Sequence, residues 1–66
     1  MVLYTEKIAI LMAEKGLTVV ALSRNCGISP PNLSAILRKG RCRPITAGKL
    51  ATGLGVSVTE ITREVR

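Results

Sequence analysis

Apolar residues recur along most of the chain at helical rather than strand spacing, and glycines interrupt the pattern at intervals. Gly16, Gly27, Gly40 and Gly55 each follow such a segment, where a left-handed residue closes a helix without a Cβ clash. Five short helices are predicted. The first runs from about Thr5 to Lys15, with Ile8, Leu11 and Met12 on one face. The second is capped by Thr18 and reaches about Cys26, placing Leu22 and Cys26 one turn apart on the inside. The third covers about Pro31 to Lys39, with Leu33, Ile36 and Leu37 inward. The fourth, Thr46 to Leu54, sets Ala47, Leu50, Ala51 and Leu54 at i, i+3, i+4 and i+7 and is the clearest amphipathic pattern. The fifth opens with "SVTE", where Ser57 and Glu60 have capping-box spacing, and turns Ile61 and Val65 inward.

Three local features bear on these boundaries. "LTVVAL", Leu17 to Leu22, holds β-branched residues but lies between a glycine stop and a helical pattern, so it reads as the start of the second helix. Gly48 and Gly53 each cost the fourth helix roughly 1 kcal/mol against alanine. Pro31 disfavours helical backbone at Pro30, so the third helix is expected to begin at Pro31, with Pro30 extended in the cap and Ser29 reaching the first free amides.

Sixty-six residues make one small unit, a single domain over 1–66. A chain this short buries only about 60% of its unfolded surface, which leaves a thin core. No attached sensor domain is expected, so regulation falls to concentration, a partner protein or competition for the target. The longest apolar run, Ile8 to Ala13, is far below the roughly 20 residues that cross a bilayer, and "MVLYTEK" has no basic n-region of a secretory signal. A cytoplasmic protein with no membrane role is expected.

Charge narrows the partner. A net charge of +6 and a pI near 10.2 favour nucleic acid first and an acidic membrane or protein second, against the alternative of a basic surface kept for solubility. Sequence-specific readers of single-stranded RNA stack bases on several aromatics, and Tyr4 is the only one here. With two cysteines, no histidine and scattered carboxylates, neither a zinc site nor histidine-based catalysis is expected, and no metal, cofactor or enzymatic activity. Cys26 falls in an apolar helical pattern. Cys42, between Arg41 and Arg43, is expected to have a lowered pKa, and reads either as a redox residue or as a plain loop residue in a reducing compartment.

Only Gly27, Ile28 and Ser29 separate the second and third helices, a turn that sets two helices at a steep angle with Ile28 folded beneath it. That is a helix-turn-helix, residues 18–39, whose second helix can lie in a DNA major groove. "LTVVALSRNCGISPPNLSAILRKGRCRPITAGKLATGLGVSVTEI", Leu17 to Ile61, resembles the lambda repressor and Cro-type helix-turn-helix family of bacteria and phages. "LT" matches the opening of the second helix, "GIS" the turn, "NLSAIL" the recognition helix and "RKGRCRP" the basic loop after it. The resemblance implies an all-α, compact five-helix domain that binds a double-stranded DNA operator as a homodimer and regulates transcription; the expected function is that of a repressor, with activator as the alternative, on a palindromic site.

The family's base-reading positions match Ser29, Pro30, Pro31 and Asn32, with Ala35 one turn later. Asn32 alone has an amide; it either bonds adenine bidentately or caps the helix or a phosphate. Pro31 and Ala35 either meet a thymine methyl or simply let the helix approach closely. Arg38, Lys39, Arg41 and Arg43, at the end of the third helix and in the loop after it, read either as phosphate contacts beside the groove or as a solvated run of charge, with Ser34 at the flank of the helix and Thr18 at the start of the preceding one as further phosphate contacts. Two residues depart from the family. Val19 stands where it often has a phosphate-binding glutamine, and Leu37 where it often has a glutamate paired with an arginine. Val19 and Val20 together form an alternative protein-binding patch, which suits a partner-binding module such as an antitoxin or anti-repressor. Ile61 and Val65 are either dimer interface or core, and "MVLY" is a further dimer surface.

Overall fold

Ala47, Leu50, Ala51 and Leu54 are all buried, and the helix that carries them is the centre of the molecule. The computed structural model describes residues 1–63, so Val65 lies outside the described residues. The elements are β1 (Val2–Leu3), α1 (Thr5–Lys15), α2 (Val19–Cys26), α3 (Pro30–Lys39), α4 (Pro44–Leu54), α5 (Val58–Ile61) and β2 (Thr62–Arg63). Among the described residues the fold is five helices around one core, as the periodicity predicts. Leu3, Ile8, Leu22, Cys26, Leu33, Leu50, Leu54 and Ile61 form that core, with Leu11, Met12, Ile28, Ile36 and Leu37 packed at its edge.

α4 packs chiefly against α2, and its glycines explain how. A Cβ built on Gly53 would collide with Cys26 Sγ and come within 3.1 Å of the Cys26 backbone nitrogen. Gly53 therefore lets the end of α2 lie directly on α4, and the Cys26 thiol donates to the Leu50 carbonyl at 3.9 Å. Gly48 meets nothing within 4 Å and has no such role.

Three boundaries differ from expectation. α3 begins at Pro30, because Ser29 takes the extended cap conformation and the Leu33 amide bonds the Ser29 carbonyl at 2.9 Å, closing one turn around both prolines. The Pro30 and Pro31 positions are those whose amides have no helical partner in any case. The same logic starts α4 at Pro44 rather than Thr46, with Arg43 as its cap and the Ala47 amide on the Arg43 carbonyl at 2.9 Å. α5 is a single turn ending at Ile61. Thr62 turns extended and its hydroxyl donates to the Val58 carbonyl at 2.9 Å, satisfying an acceptor that a longer helix would have served with a backbone amide. The capping box does not form: Ser57 caps with no side-chain bond and instead shares a hydrogen bond with the Thr59 hydroxyl at 2.9 Å.

The chain ends meet in a small ladder that the periodicity does not predict. β1 pairs antiparallel with β2, Val2 opposite Arg63 and Leu3 opposite Thr62. On its other side β1 bonds the segment after α3: the Leu3 amide donates to the Gly40 carbonyl at 2.8 Å and the Cys42 amide to the Met1 carbonyl at 3.1 Å. Arg63 lies over the Tyr4 ring, 5.4 Å from its centroid, on the outside of this ladder. Ile61, expected as either interface or core, is 0% exposed and belongs to the core, so it is not available to a second copy. Of "MVLY", Leu3 is likewise buried, while Met1 and Tyr4 stay exposed.

Candidate nucleic-acid interface

The site is assembled from α2, the turn after it, α3 and the loop to α4. Thr18 caps α2, its hydroxyl oxygen accepting from the Ala21 amide at 3.1 Å. Gly27 closes the helix at φ 71°, a left-handed conformation that costs other L-residues about 1 kcal/mol or more. The Gly27 and Ile28 amides both donate to the Ser23 carbonyl, at 2.9 and 3.1 Å, and Ile28 tucks against the core. That pair of bonds fixes the direction in which the chain leaves α2.

Leu33 is fully buried and sets the rotation of α3. Pro31, Asn32, Ser34, Arg38 and Lys39 are consequently exposed or half-buried on the other faces, as is Ala35. Ser29 makes no side-chain cap bond, which departs from expectation, and because the next two residues are prolines Asn32 holds the first amide of the helix. Ser29 and Asn32 are both exposed at the start of α3, and the Ser29 hydroxyl caps no amide there.

Gly40, at φ 71°, closes α3, and the next residues form an extended segment bridged to β1 through Val2 and Arg41. In extended backbone neighbouring side chains alternate between faces. Cys42 accordingly packs inward, and Arg41 and Arg43 both point to solvent. Burial pushes the Cys42 thiol up, with the amino-terminal charge opposing it, so the expected lowering by the flanking arginines does not occur. Burial also raises the Cys26 thiol, a hydrogen bond from the Gly53 backbone opposing it.

An open groove of about 450 Å³ runs between α3 and α4, lined by Ser29, Asn32, Ala35 and Lys39 on one side and Thr46 and Lys49 on the other. Thr46 and Lys49 are site candidates that the sequence does not single out. Their position on α4 away from its buried stripe marks them as surface residues, and only the packing of α4 brings them to the groove. A second groove, of about 500 Å³, lies on the α2 side of the turn, lined by Val20, Arg24, Ile28 and Pro30. Val20 is 49% exposed there, but Val19 packs against the core, so the two valines do not form one patch.

The charges divide sharply along the chain. Between Glu14 and Glu60 there is no carboxylate, and Arg24, Arg38, Lys39, Arg41, Arg43 and Lys49 all fall in that stretch, outside the core on α2, α3, the loop and α4. Exposed cations from a stretch with no carboxylate of its own raise the local anion concentration. Among the described residues no helix is long and apolar enough to cross a membrane. A family model described as helix-turn-helix matches residues 8–61. Neither a curated protein nor a solved structure matches the chain.

Proposed function

Since the chain belongs to the lambda repressor/Cro-type helix-turn-helix family of DNA-binding regulators, we propose that it is a sequence-specific repressor that binds a palindromic operator as a homodimer. The observation that supports this most is the pairing of the outward face of α3 with exposed cations from a stretch that carries no carboxylate between Glu14 and Glu60. α3 enters the major groove with Ser29, Pro30, Pro31, Asn32 and Ala35 toward the bases. Arg38, Lys39, Arg41 and Arg43 grip the phosphates on one side, with Ser34, and Thr18 with the free amides at the start of α2 grips them on the other. Thr46 and Lys49 extend the phosphate contacts across the groove. The two protomers place their α3 helices about one helical turn of DNA apart, roughly 34 Å. Their mutual contact draws on apolar side chains left outside the core, of which Ile45, at 78%, is the most exposed among the described residues. Such a protein acts in the cytoplasm.

Binding-site selection from a randomised duplex pool at low salt tests the reading. Enrichment of a sequence with two-fold symmetry is the expected result. A pool that stays random at micromolar protein rejects it.

A second reading, a partner-binding module on the same fold, is favoured by the groove of Val20, Ile28 and Pro30. It requires a stoichiometric protein partner in affinity purification, together with DNA binding that is indifferent to Arg41→Ala and Arg43→Ala.

A further inference from the structure

We propose that α3 reads DNA mainly through the 5-methyl groups of pyrimidines, with Pro31 and Ala35 as the contacting strip; this rests on the DNA-binding reading above. Leu33 is fully buried, so at 100° per residue Pro31 and Ala35 lie on the opposite side of α3, one turn apart. Pro31 is exposed and Ala35 half-buried. Pro30 stands off this line, lining the groove on the α2 side with Val20, Arg24 and Ile28.

What this strip lacks decides what it can recognise. Pro30 and Pro31 have no amide, and alanine has no polar side chain, so the outward line of the first two turns offers no hydrogen bond. A purine N7, a guanine O6 or an exocyclic amine set against the Pro31 ring would lose water and gain nothing. The apolar group that B-DNA presents in its major groove is the C5 methyl of thymine. A cytosine methylated at C5 presents the same group from the same ring position. The proline ring has no side-chain rotamer freedom to lose on contact, which favours it as a surface for a methyl. Asn32 flanks the strip with an amide and the first free backbone N–H of the helix, so it supplies the polar contact to the neighbouring base.

The selected duplex provides the test, with the full chain as the protein. Each thymine is replaced singly by deoxyuridine, which removes only the methyl. At one or more positions per half-site affinity falls about fourfold, the equivalent of the about 0.8 kcal/mol of one buried methylene. In Pro31→Ser the same replacement has little effect, and circular dichroism confirms that this exposed substitution leaves the fold intact. Exchanging the sensitive thymine pair for a cytosine pair weakens binding, and 5-methylation of that cytosine regains part of the loss. Tight, selective binding in which no deoxyuridine changes affinity by as much as about twofold overturns the inference while leaving the DNA-binding reading in place. Equal deoxyuridine sensitivity in wild type and Pro31→Ser also overturns it, because the methyl effect then comes from the DNA. Absence of any selected duplex removes both.

Discussion

Gly53 and Gly48 sit five residues apart in one helix and are expected to respond oppositely to the same substitution. Gly53→Ala drives a methyl into Cys26 Sγ and the end of α2, an overpacking that costs about 1–3 kcal/mol, whereas Gly48→Ala enters open space and gains up to about 1 kcal/mol of helix propensity. Urea unfolding of both variants separates them, and equal shifts would show that α2 and α4 do not touch there. The thiols give a second residue-scale prediction. Both are raised above the ordinary thiol value, so the unfolded chain releases their protons first. Their contribution to stability is complete below the ordinary thiol pKa and is lost as pH rises through the higher folded value. Unfolding midpoints are expected to fall as the pH is raised from neutrality through the thiol range, by less in Cys26→Ala. At neutral pH Cys42 reacts with a disulfide reagent no faster than a free cysteine; a faster reaction contradicts its inward placement.

The helix ends are where the elements differ in strength. Thr18→Ala removes an observed cap bond and is expected to cost about 0.5–2 kcal/mol, while Ser29→Ala, which removes no cap bond, and Ser57→Ala, which loses only an exposed bond to the Thr59 hydroxyl, change stability little. Thermal unfolding of the three variants checks the ranking. The helices themselves are legible in the sequence because most of them bury residues at helical period: the ends of α1 and α2 fall where Gly16 and Gly27 place them, and the stripe of α4 is buried at every expected position. The start of α3 is not, since the preference of a residue preceding proline can be overridden by one backbone hydrogen bond, and α4 starts at Pro44, a residue suited to the first helical position, ahead of the apolar stripe that marks the helix. β1 and β2 are out of reach for a different reason. Two residues have no period, and their pairing is made by the Gly40–Cys42 segment and by Ile61, far away in sequence.

That ladder also places the basic loop after α3, which makes the cationic rim a property of the whole molecule. Arg41 and Arg43 face outward because Cys42 between them is drawn inward and bonded to β1. If both meet phosphate, Arg41→Ala and Arg43→Ala each flatten the plot of log affinity against log salt by about 0.9. A slope unchanged in both would remove the loop from the interface. At this scale the cationic loop and the exposed side of α3 can be read from the residues alone, but Thr46 and Lys49 cannot, because only the packing of α4 brings them beside Asn32 and Lys39. The place of Ile61 is likewise open in the sequence between core and surface, a choice made by the short α5 turning back toward β1. Recognition of one DNA sequence above others is measured by titrating the selected duplex and a scrambled duplex of equal length in parallel at physiological salt. The expected result is a preference of about 10³-fold or more for the selected duplex. Equal affinity for the two would contradict it.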